Sequence, residues 1–286
     1  MFRSAAFVIA LLLGPAFASA QVGDGRLKKI KESKTVAIAY RSDALPFSFI
    51  DDATKQPTGY SIDLCRRVVS VLAQRIGVEG VQIKWVPVTL QSRMEAIQKG
   101  QADMECGSTT VTLSRMQQVN FSSFIFVDGT GLLIKSDSNV RQLADLGGKK
   151  IGVMPGTTNE AALNAALKRS VINAIVVPVK TREEGLAEFE AGRIDAFASD
   201  RVLLLGLGSK AKDPKKISLL LEDLSFEPYA ITLPRGDDDF RLAVNAALSQ
   251  IYRSGAIGEI FQNWFGALGK PGPVLEACFL FGSIPD

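Results

Sequence analysis

The side chains available for chemistry in this chain are carboxylates, guanidiniums, lysines, hydroxyls and three cysteines, because the sequence contains no histidine. The absence of histidine excludes Ser-His and Cys-His nucleophile pairs and zinc sites that depend on imidazole. It also removes the side chain that enzymes use most often as a general base. We predict no catalytic residue, no cofactor and no metal ion in this protein.

The cysteines Cys65, Cys106 and Cys278 are odd in number, and their spacing does not resemble a paired-cysteine metal or redox motif. In an oxidising compartment, one disulfide and one free buried thiol would account for all three. The sequence alone leaves open which two cysteines pair. We predict that they are structural or inert.

The composition is that of a folded protein without a nucleic-acid partner. A hydrophobic fraction of 47% and a charged fraction of 22% allow a buried core and exclude a disordered chain. The net charge of +3 is small and spread along the chain, which is weak for a nucleic-acid binder. A length of 286 residues favours two lobes or one large domain.

Short apolar runs alternate with segments of helical periodicity, and these elements must position any site. The predicted strands are 35–39, 81–86, 102–106, 130–134, 150–153, 174–179, 195–199 and 229–233. The predicted helices are 60–76, 91–99, 159–169, 182–191, 238–253 and 257–265. This alternation favours an α/β fold with mostly parallel sheets that helices cover on both faces.

A weak internal repeat supports two similar lobes. Residues 97–103 resemble residues 189–195, because in both a helix ends at glycine and a turn leads to a strand that begins with aspartate. The two strands continue into small polar residues at 107–110 and 199–200. Ligands of open α/β sheets bind beyond the carboxyl ends of the strands, so we expect these two segments to face one another.

The first twenty residues have the features of a secretory signal peptide. One positive charge at Arg3 precedes an apolar run over 5–13, and Ala18-Ser19-Ala20 gives the small-x-small pattern of a cleavage site. The apolar run is too short to cross a bilayer as a helix. We predict cleavage after about Ala20 and export, to the periplasm if the source is a bacterium with two membranes.

Several motifs resemble family 3 extracellular solute-binding proteins, the receptors of polar amino-acid ABC importers. The segment GYSIDL at 59–64 is similar to the signature helix of that family. Further matching segments are RSDALPFS at 41–48, ECGSTT at 105–110 with Arg115 beyond it, GTT at 156–158 and AFASD at 196–200. The similarity covers about residues 27–270, and ECGSTT with Arg41 and Arg93 resembles the glutamate/aspartate-binding branch.

The resemblance implies the type II periplasmic binding protein fold. This α/β fold has two lobes, each a mostly parallel sheet flanked by helices, and two crossover hinge strands between them. Lobe 1 is then discontinuous, with residues 27–126 and 228–286, and lobe 2 comprises residues 127–227. We expect the crossings near 126–128 and 224–227.

The resemblance also implies a set of ligand-binding residues, beginning with the partners of the α-carboxylate. Arg115 is the family's α-carboxylate partner, and its planar guanidinium suits bidentate binding. The hydroxyls of Ser108 and Thr110 assist it. Thr158, at a predicted helix N-terminus, brings backbone N–H groups from lobe 2 to the same carboxylate.

Charged residues account for the rest of the implied site. Asp200 accepts the ammonium group of the ligand or caps the following helix, or does both. Arg41 and Arg93 occupy positions that bind the side-chain carboxylate in the acidic-ligand branch. Arg182 stands where close relatives often have histidine; it either pairs with that carboxylate or lines the rim. Leu90 stands where that branch tends to carry a small hydroxyl residue.

The charges of these residues favour an acidic ligand. Three arginines against Asp200 leave a local charge of +2, which a ligand of charge −1 reduces and a basic amino acid increases. A lysine or arginine ligand is therefore disfavoured. Glutamine is excluded less strongly, since it loses only about 1.5–3 kcal/mol of charge-assisted hydrogen bonding.

We predict a monomeric periplasmic receptor that closes on glutamate or aspartate and delivers it to an ABC permease in the inner membrane. One alternative is a periplasmic cyclohexadienyl dehydratase on the same fold, acting on prephenate or arogenate. That reaction needs a proton-transfer group, for which Glu105 is a candidate. A ligand sensor that docks to a signalling protein is a third interpretation, with the same binding chemistry.

Overall fold

Two five-stranded sheets organise the chain in the computed structural model, which describes residues 25–220 and 222–285. The predicted signal peptide at 1–20 lies outside the described residues. Within those two described ranges, no helix is both long and apolar enough to cross a membrane.

Strands and helices alternate along most of the chain. The strands are β1 (Thr35–Arg41), β2 (Asp43–Ala44), β3 (Ser48–Ile50), β4 (Pro57–Thr58), β5 (Gln82–Val88), β6 (Met104–Glu105), β7 (Asn120–Asp128), β8 (Thr130–Lys135), β9 (Lys150–Val153), β10 (Ile175–Pro178), β11 (Ala196–Asp200), β12 (Ile217–Leu219) and β13 (Glu227–Leu233). The α-helices are α1 (Arg26–Ser33), α2 (Tyr60–Arg75), α3 (Arg93–Gln98), α4 (Leu113–Met116), α5 (Thr158–Arg169), α6 (Arg182–Glu190), α7 (Arg201–Gly208), α8 (Asp238–Arg253), α9 (Ala256–Phe265) and α10 (Pro273–Gly282). Short 3₁₀ turns lie at Leu143–Leu146, Pro214–Lys216 and Gly266–Leu268.

The two large sheets share one plan. The first has the order β5–β1–β6–β13–β7, and the second has the order β10–β9–β11–β8–β12. In the first sheet β5, β1 and β6 are parallel, and β13 is antiparallel to both of its neighbours. In the second sheet β10, β9 and β11 are parallel, and β8 is antiparallel to both of its neighbours. The predicted two-lobe α/β fold with parallel-rich sheets is confirmed. We call the first sheet with its helices lobe 1, and the second sheet with α5, α6 and α7 lobe 2.

The strands at the centre of each lobe are buried along their whole length. Every residue of β11 and of β13 is buried, as expected for strands covered on both faces. In lobe 1 an aromatic cluster formed by Phe47, Tyr60, Phe126, Tyr229 and Phe265 packs with ring centroids 4.8 to 6.1 Å apart. Burial of each such ring contributes about 1.5–3 kcal/mol, so this cluster fixes the crossover strands against the lobe 1 core.

The chain passes between the sheets twice, at neighbouring positions. It leaves the first sheet at Asp128, the end of β7, and returns to it at Glu227, the start of β13, and these two residues pair. A Cβ at Gly129 would lie 2.9 Å from the backbone oxygen of Ser225, so the close approach of the crossings requires glycine. The predicted lobe bounds, 27–126 with 228–286 and 127–227, stay a proposal, and the strand pairing extends the first sheet to Asp128 and Glu227.

A disulfide bond joins Cys65 in α2 to Cys106, directly after β6, and Cys278 is a half-buried free thiol. This settles the pairing that the sequence left open. The bond closes a loop of 41 residues. A loop of that length lowers the entropy of the unfolded chain enough to stabilise the fold by about 4 kcal/mol. The bond also anchors the start of the loop at 107–110.

Candidate ligand-binding site

Four arginines from both lobes form a group that we call the arginine cluster: Arg41, Arg93, Arg115 and Arg182. Arg41, Arg93 and Arg182 are buried, with exposed fractions between 3% and 6%. Burial lowers the pKa of Arg93 to about 9; Glu105 opposes this shift, and the other three arginines add to it. The structure thus brings together all four arginines that the sequence analysis proposed.

The ends of secondary-structure elements position the arginine cluster. Arg41 is the last residue of β1, and Arg93 and Arg182 are the first residues of α3 and α6. Arg115 lies in α4, where the Thr112 hydroxyl accepts a hydrogen bond from its backbone N–H at 3.1 Å. The Nη1 of Arg115 donates to the backbone oxygen of Thr110 at 2.8 Å. The guanidinium of Arg115 is therefore held at the loop that follows β6.

The arginine cluster contains donors that the protein itself does not satisfy. The Nε atoms of Arg93 and Arg182 are buried and have no hydrogen-bond partner among the described residues. Within those residues, the guanidinium of Arg93 makes no hydrogen bond or ion pair at all. A buried donor without a partner costs about 1–3 kcal/mol. A carboxylate in this space would satisfy these donors, because its two oxygens accept only.

Asp43 lies between two of these arginines and was not predicted. Its carboxylate accepts from Arg41 Nε at 2.8 Å and from Arg41 Nη2 at 2.6 Å. Its Oδ2 also lies 3.4 Å from Nη1 of Arg182, across the lobe boundary. The only feature of the sequence that could have indicated Asp43 is its position two residues after Arg41. Its partner in lobe 2, Arg182, is 139 residues away along the chain.

The loop after β6 carries the predicted hydroxyl residues. Ser108 and Thr110 are buried, and the Ser108 hydroxyl has no hydrogen-bond partner in the described part of the chain. Glu105, the proton-transfer candidate of the enzymatic alternative, is fully buried. Its Oε2 accepts from the hydroxyls of Thr109 at 2.8 Å and Thr232 at 2.7 Å. The bond to Thr232 ties β6 to β13, whereas Oε1 of Glu105 is buried without a hydrogen-bond partner among the described residues.

A second charged group, the hinge cluster, consists of Asp128, Asp200, Glu227 and Tyr229. Asp200 occupies the N-cap position of α7, but its side chain makes no capping hydrogen bond. Asp128 performs that function instead, because its Oδ2 accepts from the backbone N–H of Val202 at 3.1 Å. The capping alternative for the Asp200 side chain is therefore wrong, and its carboxylate is left for other contacts.

Burial and like charges change the acidity of the hinge cluster. Burial, together with the neighbouring Asp200, raises the pKa of Asp128 to about 7. Burial also raises the pKa of Asp200, against the attraction of Arg182. The Tyr229 hydroxyl donates to Oδ2 of Asp128 at 3.3 Å and also faces Asp200. A positive group beside these carboxylates would favour their ionised forms.

Thr158 is at the predicted place, but its side chain is engaged by the protein. It is the first residue of α5, whose N-cap Thr157 accepts from the backbone N–H of Glu160 at 3.1 Å. The Thr158 hydroxyl donates to Oε2 of Glu227 at 2.7 Å. The hydroxyl of Thr158 is therefore engaged by Glu227. The backbone N–H groups at this helix N-terminus are the part that suits an anion.

The assembled site corrects the charge that was counted from the sequence. Besides Asp200, the carboxylates of Asp43, Glu105 and Glu227 interact with these arginines. With Arg182 included, four guanidiniums face four carboxylates, so the expected local charge of +2 is wrong. The net charge does not select the ligand; the unsatisfied guanidiniums at one end and the carboxylates at the other define what fits.

The described residues contain no group of three or more cysteine, aspartate or glutamate side chains arranged to hold a metal ion. The arginine cluster can donate hydrogen bonds to carboxylates, and the carboxylates of the hinge cluster can accept them from a cation. The residues that sequence analysis missed are Asp43, Asp128, Glu227 and Tyr229.

Proteins of known function are similar to this chain over nearly its whole length. Residues 36–267 match the bacterial extracellular solute-binding proteins, family 3. The L-glutamate/L-aspartate-binding protein of Pseudomonas aeruginosa is 36% identical over 92% of this chain and 86% of its own length. The glutamate/aspartate import solute-binding protein of Escherichia coli is 32% identical over 92% of this chain and 88% of its own length.

Solved structures agree on the fold. An ancestral amino-acid-binding protein, described as a precursor of cyclohexadienyl dehydratase, superposes with a TM-score of 0.72 and is 26% identical. The match covers 84% of this chain and 100% of that protein. The match at 36–267 covers most of the chain, and the similar curated proteins are transport binding proteins rather than enzymes. The chain belongs to the bacterial extracellular solute-binding proteins of family 3.

Proposed function

We propose that this protein is the substrate-binding component of an ABC importer for acidic L-amino acids, glutamate or aspartate. It captures the amino acid between its lobes and delivers it to a membrane permease. Two relatives named for glutamate and aspartate, at 36% and 32% identity, support this proposal. The arrangement of charges in the cleft supports it independently of their names.

The observation that carries the proposal is the buried guanidinium of Arg93, which has no hydrogen-bond partner among the described residues and an unsatisfied Nε. A ligand with a side-chain carboxylate satisfies it. Arg115, held by Thr110 at the loop after β6, takes the α-carboxylate, and the hydroxyl of Ser108, from the same loop, assists it. The ammonium group then lies at Asp200, whose side chain is not used for capping.

The proposed contacts favour an acid over its amide. Hydrogen bonds between ionised partners contribute about 1.5–3 kcal/mol each, roughly twice the value for neutral partners. An amide side chain also presents an NH₂ group, which repels the donors of Arg93. Glutamate and aspartate therefore bind more tightly than glutamine and asparagine.

Closure follows from contacts that need both lobes. Leu90 of lobe 1 packs against a hydrophobic cluster of lobe 2, and Leu203 of lobe 2 is buried in the core cluster of lobe 1. A ligand that touches Arg115 of lobe 1 and Asp200 of lobe 2 adds contacts that only the closed arrangement provides. That difference in binding free energy shifts the population towards closure.

The proposed function requires that the protein is exported to the periplasm. The predicted signal peptide at 1–20 and the membership of an extracellular binding-protein family support a periplasmic location. We propose that the mature protein is a monomer that presents its closed form to the permease. No covalent step is required for this function.

The test is a ligand screen of purified residues 21–286 by thermal shift, followed by calorimetry of the amino acids that raise the melting temperature. A ligand at 100 times its Kd stabilises the fold by about 2.7 kcal/mol. We expect L-glutamate and L-aspartate to give the largest shifts. Larger shifts with lysine or arginine, or no shift with either acid, would overturn the proposal.

A further inference from the structure

The carboxylate of Asp43 occupies one arginine in the way that a ligand carboxylate would. Its two oxygens accept from Nε and Nη2 of Arg41 at 2.8 and 2.6 Å, which is bidentate geometry. Arg41 is buried, with only 4% of its side chain exposed, whereas 20% of the Asp43 side chain is exposed. This edge of the Arg41 guanidinium cannot hold a second carboxylate at the same time.

The same carboxylate reaches across to lobe 2. Nη1 of Arg182 lies 3.4 Å from Oδ2 and 3.5 Å from the backbone oxygen of Asp43. Burial tends to raise the pKa of Asp43, but Arg41 and Arg182 outweigh burial and hold it below its usual value. The carboxylate is therefore ionised at neutral pH and bound to both arginines.

The three arginines that could take a side-chain carboxylate are thus not equivalent. Arg41 and Arg182 share the carboxylate of Asp43, whereas Arg93 has no such partner among the described residues. Resting on the proposed function, we propose that Asp43 is a specificity-determining residue. It competes with the side-chain carboxylate of the ligand for Arg41 and Arg182, and it leaves Arg93 as the arginine that binds that carboxylate.

The ion pair between Asp43 and Arg182 also connects the two lobes. Asp43 lies in β2 of lobe 1, and Arg182 begins α6 of lobe 2. The ion pair therefore joins the lobes through charges that the protein itself supplies. A ligand that displaced Asp43 would have to replace this contact, so the net gain from binding Arg41 or Arg182 is reduced.

The first test replaces Asp43 with asparagine, which keeps the shape and removes the competing charge. Calorimetry at low salt measures the Kd of L-glutamate, L-aspartate, L-glutamine and L-asparagine for the wild type and Asp43→Asn. We expect the acids to gain about tenfold in affinity relative to the amides, which corresponds to about 1.4 kcal/mol. An acid-to-amide ratio that is unchanged or lower would overturn the proposal.

A matched control separates the local effect from the change in net charge. Asp52 is exposed, so Asp52→Asn makes the same change in charge without touching the arginines. We expect that this variant leaves the ratio unchanged. Asp43→Ser replaces Asp43→Asn if the latter does not fold. Thermal unfolding shows which of the two variants is folded.

A rescue experiment tests the competition directly. Arg93→Gln is expected to abolish the preference for acids in the wild-type background. In the double variant Arg93→Gln/Asp43→Asn, Arg41 is released, and at least part of that preference returns. No return would contradict the role of Asp43. If the wild type binds neither acid, the proposed function fails; if it binds them but the ratio does not respond, only this inference fails.

Discussion

The arginine cluster and the hinge cluster both bury charges, but they satisfy them differently. In the hinge cluster, Glu227 accepts from the hydroxyls of Thr158 and Ser225, and Asp128 accepts from two backbone N–H groups. In the arginine cluster, buried Nε atoms of Arg93 and Arg182 have no partner among the described residues. Buried polar groups are normally paired, so the difference is informative.

The arginine cluster keeps buried donors without a partner among the described residues, whereas Glu227 and Asp128 of the hinge cluster accept hydrogen bonds from the protein. The hinge cluster accepts hydrogen bonds from hydroxyls and backbone amides of the protein, and burial, together with the neighbouring carboxylates, raises the pKa of Asp128 and of Asp200. The arginine cluster offers donors that an anion from outside can use. Under the proposed function, the two clusters together match an acidic amino acid, whose ammonium group and α-carboxylate share the Cα at one end and whose side-chain carboxylate lies at the other.

The largest expected effect comes from removing an arginine of the cluster. Arg115→Ala should weaken glutamate binding by about a thousandfold, or ~4 kcal/mol, because it leaves the ligand α-carboxylate buried without a partner. Calorimetry measures the change. Arg67 is exposed and has no hydrogen-bond partner among the described residues, so Arg67→Ala is the matched control. Equal affinities for both variants would remove Arg115 from the site.

A smaller loss of ligand affinity is expected from a substitution at an uncharged contact between the lobes. A Cβ at Gly206 of α7 would lie 2.5 Å from the backbone oxygen of Leu45 in lobe 1. Gly206→Ala should therefore hold the lobes apart and weaken ligand binding by about thirtyfold, or ~2 kcal/mol. Small-angle scattering with saturating glutamate should show a larger radius than the wild type. Gly258→Ala has open space around it and serves as control; a wild-type radius for Gly206→Ala would contradict the packing.

The raised pKa of Asp128 in the hinge cluster should make the stability of the protein depend on pH. The folded-state pKa of about 7 lies above the ordinary value of 3.8, so the folded protein keeps a proton that the unfolded chain releases. Between about pH 4 and 7, the free energy of unfolding should therefore fall as pH rises, by up to ~1.4 kcal/mol per pH unit from this group.

Denaturant titration across that range measures the slope. Asp128→Asn should remove this part of the dependence, because the amide does not titrate. Asp137→Asn, at an exposed position, should keep it. An identical slope in the wild type and Asp128→Asn would show that Asp128 is ionised throughout.

The smallest expected effect concerns Leu90, which packs against the hydrophobic cluster of lobe 2. Leu90→Ala removes part of an apolar contact that exists only when the lobes meet. The loss of about 1 kcal/mol of burial should weaken binding by about fivefold without changing the ratio of acids to amides. Calorimetry with glutamate and glutamine checks both statements; a changed ratio would mean that Leu90 contacts the ligand side chain.

Much of the fold could be predicted from periodicity, because long amphipathic helices and buried strands have strong patterns. The predicted helix 60–76 is observed at Tyr60–Arg75. Three helices were missed: α1 is a short and mostly charged segment, RLKKIKES, α4 has only four residues, and α10 is almost entirely apolar. Strand β7 was expected only as a crossing near 126–128, since NFSSFIFVD does not alternate regularly.

The residues themselves could group only members of one motif, whereas the separate positions Arg41, Arg93, Arg182 and Asp200 were expected from the resemblance to a family. Ser108, Thr110 and Arg115 follow one strand and could be located together. Asp43 and Asp128 could not be found, because their partners come from the other lobe: Arg182 for the first and the backbone of Val202 for the second. Such pairs depend on how two lobes meet, which local sequence does not determine.

The most direct measurement is a crystal structure of residues 21–286 with L-glutamate bound. The account predicts the amino acid between the lobes, with its α-carboxylate on Arg115, its ammonium group on Asp200 and its side-chain carboxylate within hydrogen-bonding distance of Arg93. A ligand that lies in the cleft but leaves the Arg93 guanidinium without a contact would contradict the account, as would a ligand bound elsewhere on the protein.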